Sequence, residues 1–231
     1  MTTATTSREP ERMNTLAARL GTILAERGID PTTSPAEAPS ERVTALDLAA
    51  ARIPPRYRHA LAGHQQVAAW DEVALAARPG PSGTRGIALG PSLLVAGPTG
   101  TGKTHQAYGA VRSLLTAGVR LRWEAATTAD LYARLRPRPG HDAERDLATL
   151  STCPLLILDD LGAAKQSEWT EEITYRLINR RYTDLLPTLL TTNLPTAALR
   201  DAVGDRVASR LAEMTTTVVL TGADRRRQLS A

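Results

Sequence analysis

The chain has 231 residues, 42% hydrophobic and 23% charged, with a formal net charge of +4: enough for one sizeable core and a small extra module, with no run near the roughly 20 apolar residues of a membrane helix. Its single cysteine, Cys153, excludes a disulfide framework and any zinc site built from cysteines. The positive charge permits an acidic partner such as nucleic acid without requiring one, because nearly all of it is arginine in an alanine-rich chain; only Lys103 and Lys165 are lysines.

The polar start, MTTATTSREPERM, has no apolar signal core, so the expectation is a cytoplasmic protein without a membrane partner. Between residues 11 and 27, Met13, Leu16, Ala17, Leu20, Ile23 and Leu24 follow the spacing of one helix face, and Gly28 stands where a helix would stop. The following IDPTTSPAEAPSER carries three prolines among small polar residues and reads as a linker. We therefore expect an N-terminal module over residues 1–45 and a main domain over 46–231. A lone amphipathic helix must cover its apolar face on the main domain, a partner or its own copies.

Five short apolar segments then alternate with helical patterns: SLLVAG (92–97), VRLRWEA (119–125), PLLILDD (154–160), PTLLTTN (187–193) and TTVVLTG (216–222). Near-continuous apolar strands separated by helices predict an α/β fold with a parallel sheet covered on both faces. PGPSGTRGIALGPS (79–92) reads as a loop before the first core strand.

Directly after the first strand, GPTGTGKT, comprising Gly97, Pro98, Thr99, Gly100, Thr101, Gly102, Lys103 and Thr104, matches G-x-x-x-x-G-K-[ST] at every required position. A Gly-rich turn between strand and helix lets backbone N–H groups face phosphates while the helix adds its positive end. Lys103 is then expected at the β and γ phosphates, and Thr104 at Mg²⁺. PLLILDD ends a buried strand with Asp159 and Asp160, which places Asp159 at the metal and Asp160 where it could orient attacking water. Capping of the next turn is the competing use of such a pair. In LLTTN, Thr191, Thr192 and Asn193 end a strand expected between those two; Asn193 could sense the γ-phosphate, or simply open a turn before Pro195. In GDRVASRL, Arg206 and Arg210 share one helix face. They form either a solvated basic face or a cation for the charge that develops on the transferring phosphate.

The ordered series GPTGTGKTH, LLILDDLG, LLTTNLP and GDRVASRL resembles the AAA+ ATPases of the DnaC/IstB type, which include helicase loaders, over about residues 46–223. The resemblance implies a three-layer P-loop NTPase fold (AAA+, ASCE type) with a five-stranded parallel sheet. It also implies ATP with Mg²⁺ as cofactors, His105 and Tyr57 beside the nucleotide, and Pro54, Pro55 and Arg56 along the adenine. Arg210 would enter the site of an adjacent subunit, with Arg206 as a second residue of the same box, in a head-to-tail assembly. TTADLYARLRPRPG (127–140) stands where such ATPases carry a helical insertion that contacts single-stranded DNA. Its Arg134, Arg136 and Arg138 could pair with phosphates, and a solvated helix end explains them equally well. Against the pattern of many relatives, the expectation here is a protein with neither a larger N-terminal module nor a helical lid, with Arg225 or Arg226 standing in for the lid's arginine. The expected function is that of an ATPase that delivers a replicative helicase to single-stranded DNA. The rivals are a transposition helper acting on duplex DNA, a P-loop small-molecule kinase, and a slow ATP switch in which Asp160 replaces the more usual Glu.

Overall fold

The computed structural model describes residues 45–76, 90–119 and 121–222. The expected N-terminal helix, the linker, most of the 79–92 loop, and Arg225 and Arg226 lie outside the described residues. The order is α1 (Ala45–Ala51), a 3-10 turn (Pro55–Tyr57), α2 (Gln65–Ala76), β1 (Ser92–Ala96), α3 (Lys103–Thr116), β2 (Trp123–Thr127), α4 (Thr128–Leu135) and α5 (Ala143–Thr152), followed by β3 (Leu155–Asp159), α6 (Glu168–Thr183), β4 (Thr188–Thr192), α7 (Thr196–Val203), α8 (Asp205–Met214) and β5 (Thr215–Val219). No helix among the described residues is long and apolar enough to cross a membrane.

All strand pairs are parallel, in the order β2-β3-β4-β1-β5. Alternation along the three inner strands separates two cores. Leu93, Val95, Leu155, Ile157 and Leu189 pack with α2 and α3 on one face. Leu94, Leu156, Leu158 and Leu190 pack with α4, α5, α6, α7 and α8 on the other. These strands are buried on both faces, which is why they read as continuous apolar runs.

The second strand is displaced from its expected position over 119–125 to Trp123–Thr127. Val119 and Leu121 are buried in the core ahead of the strand, so their apolar character reflects a plugged loop and not ladder pairing. The pairing begins at Trp123 opposite Leu155 and ends at Thr127 opposite Asp159.

On the α5–α6 side the fully buried Arg181 donates to the carbonyls of Leu150, Cys153 and Pro187 and to Thr188 Oγ1. It thereby ties the end of α5 to the start of β4, satisfying the guanidinium without a carboxylate.

Candidate nucleotide site

The site lies at the carboxyl ends of β1, β3 and β4, the usual ligand position in an open α/β sheet. Gly97 leaves β1 with its N–H donating to the Thr192 carbonyl at 3.2 Å. Its φ is 150°, and a Cβ there would lie 2.3 Å from the Leu220 carbonyl oxygen, so only glycine lets the loop pass between β4 and the segment after β5. At the far end α3 starts at Lys103, and no side chain caps its first turn. The positive end of the helix thus faces the loop, where an anion is favoured. The Pro98 carbonyl accepts from Lys103 Nζ at 2.8 Å and Thr101 Oγ1 at 2.9 Å, so the loop is curled around its own ammonium, which a phosphate can draw outward.

Thr104 Oγ1 sits 3.0 and 3.1 Å from the two Asp159 carboxylate oxygens. Thr191 Oγ1 donates to Asp159 Oδ1 and accepts from the Asp160 N–H at 3.0 Å. Asp160 has a left-handed backbone, φ 55°, and its Oδ1 accepts from Asn193 Nδ2 at 3.1 Å. A non-glycine residue in this conformation at a strand end is held there by its surroundings; here Thr191 and Asn193 do so. Burial pushes the Asp159 carboxyl above its ordinary range, opposed by the Thr191 hydrogen bond, reinforced by the Asp160 charge, and opposed again by Thr104 and Lys103. Thr191 was legible only as part of a polar strand end; its bridging role depends on β4 lying beside β3.

The segment leading into the domain is stitched along α3. The Leu61 N–H donates to His105 Nε2 at 3.2 Å, the His64 N–H to Gln106 Oε1 at 3.1 Å, and Arg112 to the Ala60 carbonyl at 3.2 Å. The first of these makes Nε2 an acceptor, placing the ring proton of a neutral His105 on Nδ1. Tyr57 stacks on Tyr108, centroids 4.8 Å apart. Together these elements bound a cavity of about 570 Å³ lined by Arg56, Tyr57, Thr99, Gly100, Gly102, Lys103, Thr104, His105, Asp160 and Asn193, a volume suited to a nucleotide-sized ligand. Gly97, Pro98, Thr101 and Asp159 form its supporting layer.

The remaining expected residues lie elsewhere. Arg206 and Arg210 project from α8 against α6 and do not line the cavity. Arg134 is committed to Asp146 at 2.7 Å, which raises its pKa. Arg136 and Arg138 are exposed and line an open groove together with Tyr132 and Lys165. Lys165 was notable in the sequence only as one of two lysines; the fold brings it beside the arginines.

A divalent cation fits the oxygen set of Thr104 and Asp159. Mg²⁺ bound to a nucleotide takes one or two protein oxygens and fills its remaining positions with phosphate and water, and among the described residues no cluster of three or more His, Cys, Asp or Glu side chains offers a fuller cage.

Fold and site together define a P-loop nucleotide-binding domain of the AAA+ type. A family model described as "IstB-like ATP binding protein" matches residues 87–222, and the chain belongs to that ATP-binding family. It is 28% identical over 123 residues to the replicative helicase loader DnaC of Escherichia coli K12, covering 52% of this chain and 49% of that protein. It is 29% identical over 136 residues to a protein of insertion sequence IS21 in Pseudomonas aeruginosa, covering 57% of this chain and 51% of that one. The chain thus spans about half the length of the curated relatives it matches. A crystal structure of the DnaC helicase loader superimposes with a TM-score of 0.59 at 28% identity, covering 73% of this chain and all of that one.

Proposed function

We propose that this protein is a DnaC-like ATPase that binds ATP·Mg²⁺ between head-to-tail subunits, contacts single-stranded DNA and delivers a replicative helicase to it. The observation that carries the reading is the convergence of Lys103, Thr104, Asp159, Asp160 and Asn193 at three adjacent strand ends, while Arg206 and Arg210 stand on a helix outside that cavity. Lys103 holds the β and γ phosphates, Thr104 and Asp159 hold Mg²⁺, Asp160 orients water, and Asn193, already bonded to Asp160, reports the γ-phosphate. The bound metal supplies charge stabilisation to the phosphates. Tyr57 and His105 flank the base and sugar side.

The missing cation comes from a neighbouring copy. Arg210 and Arg206 make no salt bridge among the described residues, so their charge remains for a phosphate. Arg136, Arg138 and Lys165 form the DNA-facing groove, where they pair with phosphates; Tyr132, packed on Trp169 and bonded to Thr174, borders it.

The test is complementation. Lys103→Ala and Arg210→Ala should each abolish phosphate release, and mixing the two should restore part of it, because some interfaces then pair an intact Lys103 with an intact Arg210. Failure of mixing, with both variants still assembling, rejects the shared site. Release without any acceptor excludes a small-molecule kinase. Stimulation by single-stranded DNA, lost on Arg136→Glu and Lys165→Glu, supports the loader, whereas preference for duplex DNA favours the transposition helper.

A further inference from the structure

The helix opposite the arginine pair carries an arrangement that catalysis in the bound subunit does not use. On α6, Tyr175, Asn179 and Tyr182 are spaced by four and three residues, so they share one face, and that face meets α8. Arg210 Nε donates to Asn179 Oδ1 at 2.7 Å, one terminal nitrogen donates to the Tyr175 hydroxyl at 3.3 Å, and the other to the Arg206 carbonyl at 3.2 Å. The same guanidinium lies over the Tyr175 ring at 4.9 Å and the Tyr182 ring at 5.7 Å, and the Arg206 guanidinium over Tyr175 at 5.7 Å.

The chemistry of this surround is selective. Nearby arginines on the same helices are neutralised by carboxylates: Arg176 by Glu144 and Arg180 by Asp184. Arg181 is sealed in the core with its donors spent on carbonyls. Among the described residues the half-buried Arg210 makes no salt bridge: its hydrogen bonds go to neutral oxygens and its plane lies over ring faces, with Glu213 held by the Tyr182 hydroxyl. Amide oxygen and π-face contacts fix the plane of a guanidinium while leaving its net charge intact. The three hydrogen bonds use three of its five N–H groups, so among the described residues one N–H on each terminal nitrogen stays available. Two such donors match the paired oxygens of a phosphoryl group.

We infer that Asn179 and Tyr175 are positioning residues for Arg210, holding its guanidinium oriented and un-neutralised for the ATP of an adjacent copy. The inference rests on the shared-site reading above and deepens it. A purely structural clamp between α6 and α8 would use the same contacts, but it would tolerate, or be strengthened by, a carboxylate at position 179. A finger would not.

The discriminating variant is Asn179→Asp, which keeps shape and hydrogen bond while cancelling the charge. It is placed in either partner of the complementing pair of full-length chains. In the Lys103→Ala subunit, which donates the only intact Arg210, Asn179→Asp should lower the restored phosphate release by about 10- to 100-fold. In the Arg210→Ala subunit, which only holds ATP, it should leave the restored rate and ATP affinity unchanged. Tyr175→Phe keeps the ring and loses the hydroxyl, and should show the same one-sided pattern at about 2- to 10-fold. Equal loss in both placements makes the contacts structural and overturns the inference, as does loss in neither. If the parent pair without either substitution restores nothing, the shared-site reading fails first and the inference with it.

Discussion

Thr191 offers the sharpest test of the site's wiring. Its hydroxyl, fully buried, donates to Asp159 and accepts from the Asp160 N–H. Thr191→Val removes both bonds with little change in volume, and valine suits a strand. A hydrogen bond to a charged carboxylate contributes about 1.5–3 kcal/mol, and an ordinary one about 1 kcal/mol. The acid pair thus loses roughly 2–4 kcal/mol of positioning, part of it appearing as lower stability. If half or more reaches the transition state, kcat falls about 10- to 100-fold, since each 1.4 kcal/mol is tenfold. The assay is single-turnover ATP hydrolysis with Mg²⁺ titration, alongside ATP binding and thermal unfolding. We expect near-normal ATP affinity, a higher Mg²⁺ requirement and a depressed chemical step, with Thr191→Ser restoring most of the rate. A Thr191→Val protein with unchanged kcat and Mg²⁺ dependence would refute the claim that Thr191 sets the geometry of Asp159 and Asp160.

Two further outcomes follow from the scaffold. Asp71 on α2 is 4% exposed, and its Oδ1 has no hydrogen-bond partner among the described residues; burial pushes its pKa up to about 7, only partly opposed by Ser113. The native state therefore holds this proton more tightly than the unfolded chain. The stabilising contribution is full below the ordinary value of 3.8 and lost as pH rises toward 7, by up to about 4 kcal/mol. Asp71→Asn should raise Tm at pH 8 and leave it nearly unchanged at pH 4, and an equal effect at both would contradict the assignment. At the junction of α7 and α8, Gly204 has φ 82° and a Cβ there would meet Glu171 Oε1 at 2.5 Å. Glu171 is exposed and can move aside, but the backbone strain persists, so Gly204→Ala should cost about 1–3 kcal/mol of stability and impair finger donation more than ATP affinity. Adding Glu171→Ala relieves the collision alone, so a full return of stability in the double variant would refute the backbone account.

Contiguous chemistry was the most legible. The phosphate loop announces itself because its function needs eight successive residues and a strand before them. The inner strands announce themselves because burial on both faces leaves no room for polar alternation. The edge strand near Trp123 misled because Val119 and Leu121 are apolar for a different reason: they plug the core from a loop. Thr191 and Lys165 acquire meaning only from neighbours 32 residues away for Asp159, or from a groove assembled across two loops. The surroundings of Arg210 were likewise hidden. Asn179 and Tyr175 lie 31 and 35 residues earlier in the chain, and nothing in the helix pattern of α6 distinguishes a neutral cradle from an ordinary polar face.

The two cores also bear on why the shared-site reading calls for a second subunit. Lys103 begins α3, whose Ala107, Val111 and Leu114 pack on one face of the sheet, whereas Val207 and Leu211 anchor the arginine helix to the other. An arginine fixed on α8 and held by α6 serves a neighbour more readily than its own cavity, which neither Arg206 nor Arg210 lines. On the shared-site reading, the contact joins two different surfaces, arginine face to nucleotide face. A twofold dimer could supply that contact only if both surfaces lay within one self-complementary patch; as two separate surfaces they make a heterologous contact, which extends as a ring or a spiral. In a spiral the terminal cavity on one end receives no arginine. On the same reading each added subunit would complete one site and present one new arginine pair, so catalytic competence would belong to the neighbouring contact and not to the single chain.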